Sequence, residues 1–357
     1  VKRPAAAEEG APESDLYPGA QPPRLAPAVI GHAEAQGELL SAYRSGRLAH
    51  AWLIAGPEGI GKATFAWAFA RFVLSHPDPA APEVAAARDL TTPEAHPAAR
   101  NLAALAHPDF AVLRRAWNPK SKGFYGEIRV DDVREAQGVF RLAPAFGGWR
   151  ILLVDAADDL NRAGANALLK TIEEPPDRSL ALIVAHRPGR LPPTIRSRCR
   201  RLALEPLEAS EIEAIVRAQG PPWSELPAAA VAGAAARAGG SAREALRRLD
   251  PEAAPLTALI DAVVTKLPGV DWAAALRLTD RFAGGAGAEA HERFVLAVYD
   301  WLAARARASG EPARLTTIAE LWARLRGAAR EAEALNLDRK IHALALLQEI
   351  AERAARL

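Results

Sequence analysis

Cysteine is nearly absent from this 357-residue chain, with Cys199 alone, and methionine is absent altogether. A single thiol excludes an internal disulfide framework and any zinc site built from cysteines alone, and it fits a reducing, intracellular setting. A missing methionine, initiator included, is improbable for a natural chain of this length, so a spacing here can hide a missing residue. Long apolar runs are lacking too. The hydrophobic stretches are Ala-rich and broken by charge, short of the roughly 18 to 20 residues of a membrane span. A soluble, cytoplasmic protein with no membrane contact is expected. Net charge is small: 45 Lys and Arg against 43 Asp and Glu leave +2. That excludes the global field of a nonspecific nucleic-acid binder, so any contact with DNA must be local. What the chain does have is apolar content of 50%, enough to fill the two or three cores that its length invites.

Residues 1–25 are rich in Pro, Ala, Gly and acid without periodicity, which predicts a disordered leader. "HAWLIAG" then reads as a buried strand. It is followed by a Gly-rich turn and by "KATFAWAFARFVL", whose Phe65, Ala68, Phe69 and Phe72 recur at helical spacing. Residues 75–108 are a Pro-rich connection. "WRILLVDAADDL" holds a second strand, Ile151 to Val154, and "ALIVAH" a third, Ala181 to His186. Strands alternating with helices predict an α/β domain over 26–205, a parallel sheet with helices on both faces and ligands at the carboxyl ends of its strands. Strand signals stop after Pro206. Ser210 with Glu213 and Ser241 with Glu244 read as capping boxes, which predicts a small helical lid over 206–250. Residues 251–357 read as a third, all-helical domain, with one stripe at Leu259, Ile260, Val263 and Val264 and another at Leu337, Ile341, Leu344 and Leu347.

The turn "GPEGIGK", Gly56 to Lys62, fits the phosphate-loop pattern G-x-x-x-x-G-K between strand and helix. Gly56, Gly59 and Gly61 let backbone N–H groups turn toward phosphate oxygens, the helix N-terminus adds its dipole, and Lys62 reaches the outer phosphates. A hydroxyl should follow to ligate magnesium. Ala63 stands there instead, and Thr64 lies about 100° further round the helix. Asp155 ends the second strand where a magnesium-holding acid belongs. The neighbouring acid that would polarise a water is replaced by Ala156; Asp158, three positions from Asp155, lies where a helix-start or neighbour contact competes with a catalytic use, and the structural use is expected.

"AGANALLKTIEEPP", "LPPTIRSRC", "GSAREALR" and "VIGHAEAQ", taken with this loop, resemble the AAA+ clamp-loader subunits of bacterial DNA polymerase III, and the delta-prime branch more than the gamma/tau motors. "EALNLDRKIHAL" is similar to that branch's collar. The resemblance implies an AAA+ domain, a lid and an oligomerising collar. It implies that Arg198, between Ser197 and Cys199, projects into a neighbour's nucleotide site as a trans arginine, a group worth ~10³ to 10⁵ in rate in other hydrolases. From charge alone Arg198 is one of several arginines in "RSRCRR". The resemblance further places Ile30 and Gly31 beside an adenine and makes Arg243 a sensor. Where motor subunits carry a polar sensor, Ala185 and His186 stand, and His186 reads as a satisfied loop or core histidine. Implied partners are gamma/tau and delta subunits, the sliding clamp and primer-template DNA.

ATP or ADP, weakly or structurally held, is the expected ligand. Magnesium is left open. Zinc is not expected, because the insertion after the first helix lacks the four cysteines of many relatives. Little or no autonomous ATPase is expected, and the function expected is that of a stator. The alternatives are an active motor of the same ring and an AAA+ switch outside replication. "RRAWNPKSKGFY" mixes basic and aromatic residues, a composition shared by strand-gripping loops and by solvated hairpins.

Overall fold

The computed structural model describes residues 13–353 apart from 15, 142, 285 and 336. Helix α1 (Ala33–Arg44) leads into strand β1 (Ala51–Ala55), and a six-residue turn opens helix α2 (Lys62–Ser75). Short helices α3 (Pro82–Ala86) and α4 (Pro97–Ala103) occupy the Pro-rich connection before β2 (Phe110–Leu113). A small hairpin, β3 (Trp117–Asn118) against β4 (Gly123–Phe124), precedes α5 (Val130–Ala136) and β5 (Arg150–Val154). Then come α6 (Arg162–Glu173), β6 (Ser179–Ala185), α7 (Pro193–Arg196) and β7 (Arg200–Ala203).

Five of these strands form one sheet in the order β2-β5-β6-β1-β7, every neighbour parallel. The near-continuous apolar runs are explained by burial on both faces. Trp52, Ile54, Leu182 and Val184 join Phe65, Phe69 and Phe72 of α2 and Tyr43 of α1 on one side. Their alternates Leu53, Ile183, Leu152 and Val154 join Leu168 and Ile172 of α6 on the other. Because the strands run in one direction, β1, β5 and β6 deliver their carboxyl ends to one edge. Residues 56–61, Asp155 and His186 leave from there.

Helices α8 (Ala209–Ala218), α9 (Ala228–Ala236) and α10 (Ala242–Leu249) follow. The second predicted cap is present, with Ser241 Oγ accepting from Glu244 N–H at 3.2 Å. The first is displaced: α8 is capped by Glu208 with Glu211, whose carboxylate accepts the Glu208 N–H at 2.9 Å, and not by Ser210 with Glu213. A glutamate box does the same reciprocal work two residues earlier. The first compact unit ends at Leu246 and the second runs from Arg247, so the division falls within α10 rather than at 250. Residues 206–246 thus belong to the unit of the sheet; Leu207 N–H on the Gly240 carbonyl (3.0 Å) closes the segment on itself, and Arg243 N–H on the Gly59 carbonyl (3.3 Å) joins it to the loop.

The second unit contains α11 (Ala254–Val264), α12 (Trp272–Thr279), α13 (Ala286–Ala308), α14 (Pro312–Ala334) and α15 (Arg339–Ala351). Val263, Leu278, Phe294, Leu321 and Leu347 lie in its core. The predicted stripe on the last helix is wrong in part. Asp338 caps α15 through the N–H groups of Lys340 and Ile341, so Leu337 precedes the helix. Ile341 faces solvent at 63% exposure, and the buried face is His342, Ala343, Leu346, Leu347 and Ile350. Among the described residues no helix is long and apolar enough to cross a membrane.

Candidate functional site: a phosphate cradle under a strap

The loop between β1 and α2 has the conformation its glycines permit. Gly59 and Gly61 sit at φ of 78° and 94°, in the left-handed region that side chains disfavour, and Gly61 caps α2. A Cβ on Gly59 would also collide with Ser241 Oγ and with the Cβ of Arg243, so α10 lies directly on the loop.

Lys62 opens α2 and is 3% exposed, its ammonium donating to the Pro57 carbonyl. Burial pushes its pKa down to about 8, and Arg243 adds to the drop. Glu58, Asp155 and Asp158 pull the other way. A desolvated cation at a helix N-terminus favours an anion beside it.

These groups line a cavity of about 240 Å³. Of the residues expected at a nucleotide site, Ile30, Gly59, Gly61, Lys62, Ala63, Thr64, Asp155 and Arg243 line it. Gly31 and Gly56 do not. The Gly31 carbonyl accepts from Gln36 Nε2 at 2.9 Å, and a Cβ on Gly56 would stand 2.6 Å from the Leu204 carbonyl oxygen. His32, which also lines the cavity, bonds the loop through Nε2 to the Ile60 carbonyl at 2.7 Å.

Asp155 is buried at the end of β5, next to the equally buried Ala156. The Asp158 carboxylate accepts the N–H groups of His186 (2.6 Å) and Arg187 (2.7 Å), which ties the ends of β5 and β6 together. That is a structural use of Asp158. His186 lines the cavity. The donor set suits polyphosphate better than a hard cation: Ala63 and Ala156 bring no oxygen, and Asp155 is the one acid at the expected magnesium positions. Among the described residues no group of three or more His, Cys, Asp or Glu stands close enough to hold a metal ion.

Arg198 is apart from this cavity. It lies just beyond α7, exposed, with one guanidinium nitrogen 2.9 Å from Glu173 Oε1 and another donating to the Thr194 carbonyl at 3.0 Å. Burial pushes the neighbouring Cys199 thiol up to about 11, far from a nucleophile's range.

Of the expected disordered leader, residues 1–12 and 15 lie outside the described residues, and the remainder is corrected. Leu16, Tyr17 and Ala20, with Gln21 beside them, line a wall of the cavity that sequence reasoning missed. The segment is strapped across the unit. Trp223 Nε1 donates to the Gly19 carbonyl (2.8 Å), Gln21 N–H to Gln219 Oε1 (2.9 Å), and buried Arg71 to the carbonyls of Ala26 and Arg24. Glu13 pairs with Arg24 and Arg114. Its Pro-rich composition hid this because each anchor lies far along the chain. Tyr17 and Trp223, with ring centroids 6.0 Å apart, are the aromatic signal it carried.

The basic hairpin is largely engaged with its own chain. Arg114 pairs with Glu13, Arg115 with Asp159 at 3.0 Å, Trp117 packs edge-on to Phe124, and Arg129 stacks on Tyr125 at 4.0 Å. Lys120 and Lys122 remain exposed at its tip.

Residues 31–208 match the family model described as DNA polymerase III, delta subunit. A DNA polymerase III subunit delta' of Pseudomonas aeruginosa is 36% identical over 200 residues, covering 56% of this chain and 55% of its own length. The Escherichia coli subunit delta' is 32% identical over 175 residues, 47% of this chain and 46% of its own. A subunit tau/gamma of Haemophilus influenzae is 29% identical over 191 residues, 53% of this chain but 25% of its own. The chain thus spans about half the length of the delta' relatives it matches.

Proposed function

This chain belongs to the AAA+ clamp-loader family, and we propose that within a loader it works as a stator of the delta-prime type. The observation that carries the reading is the cradle itself: it keeps a buried Lys62 and lacks an oxygen at both Ala63 and Ala156. A motor needs a hydroxyl on magnesium after the loop lysine and an acid beside Asp155 to polarise a water, and positions 63 and 156 supply neither. The tau/gamma relative matches over a similar length, so the same ring could use this chain as a motor; those two alanines weigh against it.

On this reading nucleotide is held and not turned over. The N–H groups of the loop and Lys62 would take the phosphates, Arg243 would reach them from α10, and Ile30 would wall the base. Magnesium, when bound to a nucleotide, neutralises phosphate charge; Asp155 is the acid placed to meet it. Arg198 serves a neighbouring subunit. Its planar, permanently charged fork suits the oxygens of a transferring phosphoryl group, and its exposure leaves it available in trans. The helical second unit would assemble with gamma/tau and delta partners, and the complex would place a sliding clamp on primer-template DNA in the cytoplasm.

The test is DNA-stimulated ATPase in a reconstituted loader. Arg198→Ala is expected to lower turnover by ~10³-fold at the site it serves, with assembly by gel filtration intact, while Lys62→Ala leaves turnover close to wild type. The isolated chain is expected to hydrolyse ATP negligibly. Loss of activity with Lys62→Ala and none with Arg198→Ala would reverse the assignment to a motor.

A further inference from the structure

Two cations face the cavity, Lys62 from the start of α2 and Arg243 from α10, and the acid Glu58 lines the same space. Its Oε1 lies 3.3 Å from an Arg243 guanidinium nitrogen. Glu58 is also the leading charge that opposes the desolvation of Lys62. The backbone of Arg243 is held against the loop. Its backbone N–H donates to the Gly59 carbonyl at 3.3 Å, and α10 leaves no room for a Cβ on Gly59. Position 58 is one of the unspecified places in G-x-x-x-x-G-K, so the pattern neither demands nor forbids an acid there.

We propose that Glu58 is a built-in counter-anion, a loop carboxylate that competes with the polyphosphate of a nucleotide for Arg243 and Lys62 and so sets the affinity of this cradle. The proposal rests on the reading of the cavity as a nucleotide site. A phosphate chain entering the cradle needs both cations, and it meets a negative charge already paired with one of them. The Glu58 side chain is 40% exposed and can turn to solvent, whereas that of Arg243 is 23% exposed and starts from a backbone held against the loop. An ion pair this solvated is worth up to about 5-fold in an equilibrium. Repulsion between the carboxylate and incoming phosphates acts in the same direction, so neutralising Glu58 is expected to tighten binding by about 10-fold. Both contributions are electrostatic and weaken with salt.

The experiment is titration calorimetry on the full chain with ADP, and separately with inorganic pyrophosphate, in the presence of a chelator. Glu58→Gln is expected to bind ADP about 10-fold more tightly than wild type at low ionic strength, with a smaller gain at high salt. Most of the gain should vanish on an Arg243→Ala background, and all binding with Lys62→Ala. Pyrophosphate should show the same ratio, because the competition is for phosphate and not for the base. Glu58→Ala, with thermal unfolding as a check of the fold, must move affinity in the same direction. Equal or weaker ADP binding by Glu58→Gln, with wild-type binding still dependent on Lys62, overturns the counter-anion and leaves the nucleotide site standing. Absence of binding by every variant at millimolar ADP overturns both.

Discussion

At the scale of single residues, Gly59 carries two constraints at once. Its φ of 78° disfavours any side chain, and a Cβ would strike α10. Gly59→Ala is therefore expected to destabilise the first unit by about 1 to 3 kcal/mol, read as a lowered midpoint of chemical unfolding. Gly126→Ala is the control, since nothing lies within 4 Å of a Cβ there; equal effects of the two would remove the packing argument. The glycine pattern was legible in the sequence. The steric partner was not, because Ser241 and Arg243 are more than 180 residues away along the chain. Asp158 makes the same point: its spacing from Asp155 allowed a catalytic or a structural use, and its bonds to the N–H groups of His186 and Arg187 decide for structure.

At the scale of elements, α13 and α15 are joined by a histidine pair, His291 Nε2 and His342 Nδ1 at 2.8 Å. His342 is buried, and Phe282 packs edge-on to His291. Burial, then the neighbouring His342 and Arg339, push His291 down to about 4, and burial lowers His342 as well. Nearby Lys340 is paired with Asp280. Both imidazoles are neutral in the folded state, while the unfolded chain takes up protons near the ordinary value of about 6.5. The unfolded state thus binds more protons between those limits. Stability of this element pair is complete above about 6.5 and falls as pH drops toward 4. Thermal unfolding at pH 7.5 and at pH 5 should show a larger drop for wild type than for His291→Gln, and matching slopes would exclude the pair as the cause. Periodicity located α15, yet it misjudged its face because the Asp338 cap sets where the helix begins.

At the scale of the whole molecule, two compact units divide at Leu246. The second has a core of its own, from Ile260 to Ile350, which is the requirement for independent folding. A fragment spanning 250–357 is expected to be helical by circular dichroism and to unfold cooperatively on heating; a broad, featureless melt would mean that it depends on the first unit.

What the sequence determined by itself is whatever depends on local spacing. The phosphate-loop glycines, the alternation of buried strands with amphipathic helices, and the missing oxygens at Ala63 and Ala156 are of that kind, since strand, turn and helix geometry act over a few residues. Tertiary structure alone decided what closes the cradle. The strap of residues 13–29, with its Trp223, Gln219 and Arg71 anchors, and the meeting of Glu58 with Arg243 join positions from 45 to more than 200 residues apart. No local pattern encodes such pairs, because they exist only once the parallel sheet has brought its strand ends to one edge.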